Sequence, residues 1–520
     1  MTIILRLPAI ILVIKRERAL LIENHLEHTI IDKHNLINLL YKTPRLALIE
    51  ASQSTNLSIV QIKKYLEELS DLFQEEVSIV IDKGIILCHF NKPCKDFYSF
   101  EVYRQSNVLQ LLKFLIKNDT SSKSLSSFAK KHFLSSSGTY RLRTALTPLL
   151  KEFGLKLSKN TIVGEEYRLR YFIALLQSKF GIDIYHLSSK DKMVIREFLF
   201  LGSTNLQLSN TLSKSFLFYN VLLALSWKRH DKHVIIPPSD ILDSLKALFI
   251  YDDIDNCARH VITSRFQILL NDHDLAYLFL IHLTATHSFA TQKWSEEHTE
   301  QLLLIFQSHT AFQSLFQPIS ELIPLSLENR ELLLKIVVYF ARYFILDLQQ
   351  FIPEKSYFPL DYYPGHPVIA KTLKPIVTTW LQQIKGSSLN QQYFFLLCSH
   401  IEQLIKNSLS AITVVLITTD FINEQLLTDY ISKHLSTKNI IFYSYYLLTD
   451  DIYAIKDLNP DLIITHQKLI PFVKKKLSPE AIVADFDNVN THIYIRRIHD
   501  IVLSIEENHY QQYIQEYFNQ

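Results

Sequence analysis

The sequence predicts a mainly α, multidomain chain that closes in a parallel α/β domain, and four observations carry this. A length of 520 residues exceeds one ordinary core and implies several domains of ~100 to 150 residues. Hydrophobic residues make up 48% and charged residues 20%, so each domain has apolar surface to bury and no disordered composition. From about 170 to 405, apolar residues recur at helical spacing and no stretch alternates. From 411 onward, β-branched runs alternate with helical patterns, as strands of a parallel sheet covered on both faces do.

Several function classes are excluded at the motif level. None of the eight glycines makes up GxGxxG, a P-loop or GxSxG. Cysteines 88, 94, 257 and 398 show no CxxC spacing, which suits a reducing cytoplasm and rules out a zinc ribbon. The apolar run Leu7 to Ile14 is shorter than the ~20 residues of a membrane span. Its positive charges follow it, the reverse of a signal peptide. A cytoplasmic protein without membrane contact is expected. His230 and His233 form an HxxH without further ligands, so no metal site is expected. No Ser/His/Asp order or paired-carboxylate spacing stands out, and the chain is expected to be a non-enzyme with no catalytic residue and no cofactor.

The net charge of +2 conceals an uneven distribution. Lys and Arg stand 12 against 12 Asp and Glu over residues 1 to 100, 14 against 5 over 101 to 180, and 28 against 35 over 181 to 520. A basic module on an otherwise acidic chain is what a phosphate backbone selects, because each neutralised phosphate releases counterions.

That segment also has helix-turn-helix order followed by a hairpin. Asn107 to Lys117 predicts an amphipathic helix, Leu125 to His132 a short second one, and Phe133 to Ser135 a turn. Ser136 to Phe153 predicts a third helix with serines at its N-cap. At 100° per residue, Leu142, Leu146, Leu149, Leu150 and Phe153 share one face. Ser136, Ser137, Tyr140, Arg143, Thr144 and Lys151 occupy the other, flanked by Arg141. Pro148 interrupts this helix and implies a kink. Gly154 then suits a C-cap, and two alternating runs around Lys159-Asn160 suit a wing. In such modules the third helix enters the major groove by its N-terminal turns. The candidate readers of double-stranded DNA are Ser136, Ser137, Thr139, Tyr140, Arg141 and Arg143. The candidate phosphate contacts are Lys130, Lys131, Lys156 and Lys159.

A weaker copy lies upstream. Helices are predicted over Asn35 to Tyr41, Arg45 to Thr55 and 57 to 73, followed by a hairpin turning at Asp82-Lys83-Gly84. Its third helix offers Gln61, Lys63 and Lys64 to a nucleic acid, beside Glu67 and Glu68, which would repel phosphate. This copy is expected to be the lesser reader.

In the helical middle, breaks are expected at Pro237-Pro238, Pro318, Pro324, Pro353 and 359 to 367, and Leu332 to Leu346 predicts one buried helix. DLAYLFLIHLT (274 to 284) and NQQYFFLLCSHIEQ (390 to 403) each place a Tyr before a His on an apolar helix, as two copies of one bundle would. In the C-terminal domain, strands are predicted at ITVVLITT, IIFYSYY, DLIITH and AIVADF, with helices at 423 to 435, 468 to 477 and 491 to 518.

The run FLSSSGTYRLRTALTPLLKEFGLKLSKNTIVGEEYRLRYFIALLQSKFGI resembles the second winged helix of the Mga/AtxA-type virulence regulators of Gram-positive bacteria. FYNVLLALSWKRH, LCSHIEQ, VVLITTDFINEQLLTDYI and YYLLTDDIY extend the resemblance to nearly the whole chain, closest to the streptococcal RofA-like branch. It implies a stand-alone transcription regulator, an activator or repressor of surface and virulence genes. The implied segments are 1–98 and 99–170 as two winged helix-turn-helix modules, 171–290 and 291–408 as two PTS-regulation-type helical domains, and 409–520 as a domain similar to a sugar-transport IIB component. Such helical domains can take phosphate on histidine from phosphocarrier proteins of the sugar phosphotransferase system. The implied acceptors are His282 and His400, then His230 and His233, although FYNVLLALSWKR has no histidine in the first motif. Active IIB components carry a cysteine after the first strand. Thr418, Thr419 and Asp420 stand there instead, which implies a sensing or dimerising unit and a homodimer. Two alternatives remain open: a phosphoacceptor protein linked to the phosphotransferase system, and an RNA-binding antiterminator.

Overall fold

The computed structural model describes residues 22–119, 123–199, 216–284, 296–323, 327–353, 367–384, 386, 389–419, 421–434, 440–486 and 491–518. The chain divides into two compact units, one of Met1–Gln301 with Ala341–Tyr357, the other of Leu302–Phe340 with Phe358–Gln520. The N-terminal run Leu7 to Ile14, Pro324 and most of the 359 to 367 loop lie outside the described residues. Among those described, no helix is long and apolar enough to cross a membrane.

The first unit opens with helix α1 (His28–Lys42), strand β1 (Arg45–Ala47), α2 (Leu48–Thr55) and α3 (Ile59–Phe73), then the hairpin β2 (Val77–Asp82) and β3 (Ile85–Phe90). Arg45 therefore lies in a strand rather than opening a helix, and β1 adds to β3 antiparallel with Leu46 opposite Ile86. The hairpin turns on Lys83 and Gly84, both at positive φ, the two-residue turn whose twist matches that of the strands.

A linking helix, α4 (Lys95–Arg104), leads to the second module. There α5 (Asn107–Lys117), α6 (Leu125–Lys131) and α7 (Ser136–Glu152) precede the short hairpin β4 (Lys156–Ser158) and β5 (Thr161–Val163). The Glu27 carboxylate fixes the start of α5, accepting from the Ser106 hydroxyl at 2.6 Å and the Asn107 N–H at 2.8 Å. An anion there complements the positive helix end. Gly154, at φ +68°, ends α7, and the Leu155 N–H closes back on the Leu150 carbonyl at 2.8 Å.

Next come α8 (Glu166–Phe180), α9 (Ser189–Leu199), α10 (Leu217–Lys228), α11 (Asp240–Leu245), α12 (Phe249–Ala258) and α13 (Asp272–Thr284). Helices α8, α10 and α13 are buried along most of their length, which explains their lack of a polar face. Their tyrosines satisfy the hydroxyl inside the core: Tyr171 bonds Thr284 Oγ1 at 2.7 Å, and Tyr277 donates to the Leu222 carbonyl at 3.0 Å.

The second unit takes in most of α14 (Glu296–Ser308) and of α16 (Leu327–Ala341), with α15 (Thr310–Ser320), α17 (Pro367–Gln383) and α18 (Gln391–Ser408). Pro318, expected to break the chain, sits inside α15 two residues before its end. The single helix expected over Leu332 to Leu346 stops at Ala341 and tightens into a 3₁₀ segment, Arg342–Asp347, where Ile345 and Leu346 leave helical backbone. The Trp380 ring is fully buried and donates its indole N–H to the Ala311 carbonyl at 2.7 Å, fastening α17 to α15.

The C-terminal strands β6 (Ile412–Thr418), β7 (Ile440–Tyr446), β8 (Leu462–Thr465) and β9 (Ile482–Asp485) form a parallel sheet in the order β7-β6-β8-β9. Alternate residues of β6 go to opposite cores. Ile412, Val414 and Leu416 pack toward α19 (Phe421–His434) and α20 (Thr491–Tyr517) through Ile431, Ile498 and Val502. Val415 and Ile417 pack against Ile455, Val473 and Leu477 on the other face. Burial on both faces accounts for the unbroken apolar run. The helix expected over 468 to 477 is a succession of 3₁₀, α and π turns. Asp420 lies outside the described residues, and Thr418 is buried at the end of β6.

Candidate nucleic-acid interface

The candidate interface is built around α7. The Ser135 hydroxyl accepts from the Gly138 N–H at 3.0 Å, satisfying one of the open donors of the first turn. Leu146, Leu149, Leu150 and Phe153 are buried beneath the helix, while Ser136, Ser137, Tyr140, Arg141 and Thr144 stand exposed. Pro148 costs little here. It and Thr144 both face solvent, so water can serve the Thr144 carbonyl that loses its helical N–H partner.

Two expected readers are placed otherwise. Thr139 is only 1% exposed and donates its hydroxyl to the Ser135 carbonyl at 3.0 Å. It lies three residues before Leu142 and seven before Leu146, on the packing stripe, and cannot reach a base. Arg143 is half-buried, and its Nε donates to the Lys159 carbonyl at 3.2 Å while its Nη2 bonds the same oxygen. It braces the wing turn against α7 instead of projecting freely. Lys130 and Lys131 at the end of α6 and Lys156 and Lys159 on the wing are all exposed. Phe133, in the turn between α6 and α7, holds positive φ and is 97% exposed.

The upstream module presents a different face. The Gln61 carboxamide oxygen accepts from the Ser58 N–H at 3.0 Å and from its hydroxyl at 2.8 Å, closing a capping box. Gln61 is thus engaged at the helix start rather than offered to a base edge. Lys64 lies 3.8 Å from Glu68, which also binds Lys33 at 2.6 Å. Lys63 is exposed, but Ile49 and Val60 are exposed too, so the outer surface of α2 and α3 mixes apolar and acidic groups with few cations.

The candidate phosphoacceptors are dispersed. His282 on α13 is half-buried, and burial followed by the charge of Arg342 lowers its pKa to about 4, leaving the imidazole neutral at pH 7. His400 on α18 is exposed, with its ring 6.2 Å from that of Tyr339, and desolvation of the packed part of the ring lowers its pKa. His230 opens the short 3₁₀ segment His230–Lys232, and His233 follows it exposed and at positive φ. Their rings are 6.3 Å apart, and His230 Nδ1 is buried with no hydrogen-bond partner among the described residues.

Helical periodicity does not show a polar seam joining the second module to the helices that follow. Arg229 is buried and binds both carboxylate oxygens of Glu166, at 2.7 and 2.8 Å, and the Tyr185 hydroxyl at 2.9 Å. Arg170 meets the same Glu166 at 2.8 Å. Only the odd buried charges in apolar runs, such as Arg170 within EYRLRYFIALL, hint at this seam.

Three family matches fall on these segments. Residues 27–85 match the M protein trans-acting positive regulator (MGA) HTH domain, and residues 95–177 match the Mga helix-turn-helix domain. Residues 191–363 match the M protein trans-acting positive regulator (MGA) PRD domain. No curated protein matches the chain. These matches support a DNA-binding transcription regulator of the Mga type, with two helix-turn-helix domains and a PRD domain linked to phosphotransferase-dependent phosphorylation.

Proposed function

We propose that this regulator of the Mga type reads promoter DNA chiefly through its second helix-turn-helix module. The observation that carries the reading is the exposed N-terminal half of α7, where Ser136, Ser137, Tyr140 and Arg141 stand together on the chain's most basic stretch. Wing lysines 156 and 159 and Lys130 and Lys131 supply cations for phosphates on either side. The first module contributes less, because its third helix carries Glu67 and Glu68 and spends Gln61 on its own cap.

The protein acts as a regulator and not as an enzyme. Its resemblance to the RofA-like branch favours surface and virulence genes as targets. The C-terminal parallel sheet suits a IIB-like unit, and a homodimer would match two half-sites. His282 and His400, then His230 and His233, are the acceptors through which a phosphocarrier would act. Burial lowers the pKa of His282 and His400, and a neutral imidazole supplies the nucleophilic nitrogen such a transfer requires.

Equilibrium titration of the full chain against promoter duplexes, a scrambled duplex and an RNA hairpin tests the reading. Preferential binding of a promoter duplex is expected. Equal affinity for all three, or preference for the RNA, would refute it.

A further inference from the structure

Between the DNA-facing elements and the helical domain runs a series of polar contacts, joined through the backbone at Lys159-Asn160 and Asn118-Asp119. Asn118, buried at the end of α5, donates its Nδ2 to the Asn160 carbonyl in the wing turn at 3.0 Å and to the Lys123 carbonyl at 3.0 Å. The adjacent Lys159 carbonyl of that turn receives Arg143 from α7. On the other side of Asn118, the Asp119 carboxylate lies 3.2 Å from Lys232 Nζ and 3.6 Å from Arg229 Nη2. Arg229 is itself immobilised by Glu166, the first residue of the helix entered directly from the wing.

An isolated surface ion pair contributes little, because two long side chains must be ordered to form it. Here Arg229 is already fixed by Glu166 and Tyr185, so Asp119 engages a preorganised cation at small entropic cost.

We propose that Asp119 is a positioning residue that anchors the wing turn, through Asn118, to Arg229 and Lys232 of the helical domain, and so sets how the wing and α7 are presented to DNA. The inference rests on the second module being the DNA reader. It makes the 3₁₀ segment His230–Lys232 the place where a change in the helical domain alters DNA affinity.

Electrostatics provides a test by sign. Asp119 is an anion on the basic module, so deleting it should tighten binding if it acts only through its field. If it positions the wing, Asp119→Ala should weaken binding about fivefold, at the lower end of ordinary coupling between sites. Lys232→Gln should weaken it similarly, and the double variant should be no worse than the weaker single one. Binding would be measured by fluorescence anisotropy on a promoter duplex with the full chain, with thermal unfolding of each variant alongside. Tighter or unchanged binding for Asp119→Ala, or additive losses in the double variant, would overturn the proposal. So would losses that follow a collapse in thermal stability. If the unmodified chain prefers no duplex, the DNA reading itself fails; if it binds and only the Asp119 result is contrary, the positioning role alone fails.

Discussion

Arg141 and Arg143 are two residues apart on α7 but differ in placement, Arg141 exposed and Arg143 bonded to the Lys159 carbonyl, which separates reading from bracing. Arg141 is exposed, so Arg141→Ala should weaken duplex binding without altering stability, and the dependence of log Kd on log salt should lose roughly one unit of slope if it contacts one phosphate. Arg143→Ala instead frees the wing turn. It should lower stability by about 1 kcal/mol, seen in urea unfolding, as well as weaken binding. Thr139 as a reader goes against its own helical projection: its spacing from Leu142 and Leu146 already puts it on the buried stripe. Histidines give a pH signature at the same scale. Burial lowers the pKa of His34 to about 3 and of His282 to about 4, against about 6.5 in an unfolded chain. As pH falls below about 6.5 the unfolded chain takes up these protons first, so stability is lost from there down through the folded values. Each group contributes at most about 1.4 kcal/mol per pH unit. Thermal unfolding should drop in midpoint between pH 7 and pH 5, and His282→Gln should flatten that drop; an equal drop in the variant would contradict this.

At the scale of elements, local chemistry made the winged modules legible. Helix α5 spans the residues its apolar periodicity marks, and α7 begins where serines supply a cap. Ser135→Ala should cost about 1 kcal/mol by leaving the Gly138 N–H open, measurable as a lower unfolding midpoint in denaturant. The hairpin at Lys83-Gly84 followed from a turn that only a pair at positive φ can make. The Ser58-to-Gln61 spacing is compatible with a capping box but leaves Gln61 a candidate reader; the hydrogen bonds from Ser58 tie it to its own helix end. Less legible were Pro318, tolerated inside a helix end, and the 3₁₀ segment after Ala341, since neither carries a composition signal distinct from a continuing helix.

For the whole molecule, pairs distant in sequence decide what periodicity cannot. The boundary expected at 408 is crossed within the second unit. Lys406 stands 3.8 Å from Glu507 and 4.6 Å from the Tyr510 ring, and Tyr513 donates to the Leu322 carbonyl at 3.0 Å. Removing residues 409–520 should therefore expose apolar surface of the remaining helices and lower their unfolding temperature, whereas an unchanged unfolding temperature would mark the C-terminal part as independent. The seam of Glu166, Arg170 and Arg229 was equally hidden, because its members are 4 to 63 residues apart and fit no helical or strand period. On the function proposed above, the basic module, and not its upstream copy, holds DNA. The most direct measurement is the salt dependence of promoter binding for Arg141→Ala beside a Lys63→Ala/Lys64→Ala double variant. A clear loss of affinity and a shallower slope are expected for the first, and a smaller change for the second. A larger loss from Lys63 and Lys64, with Arg141→Ala indistinguishable from the unmodified chain, would contradict it.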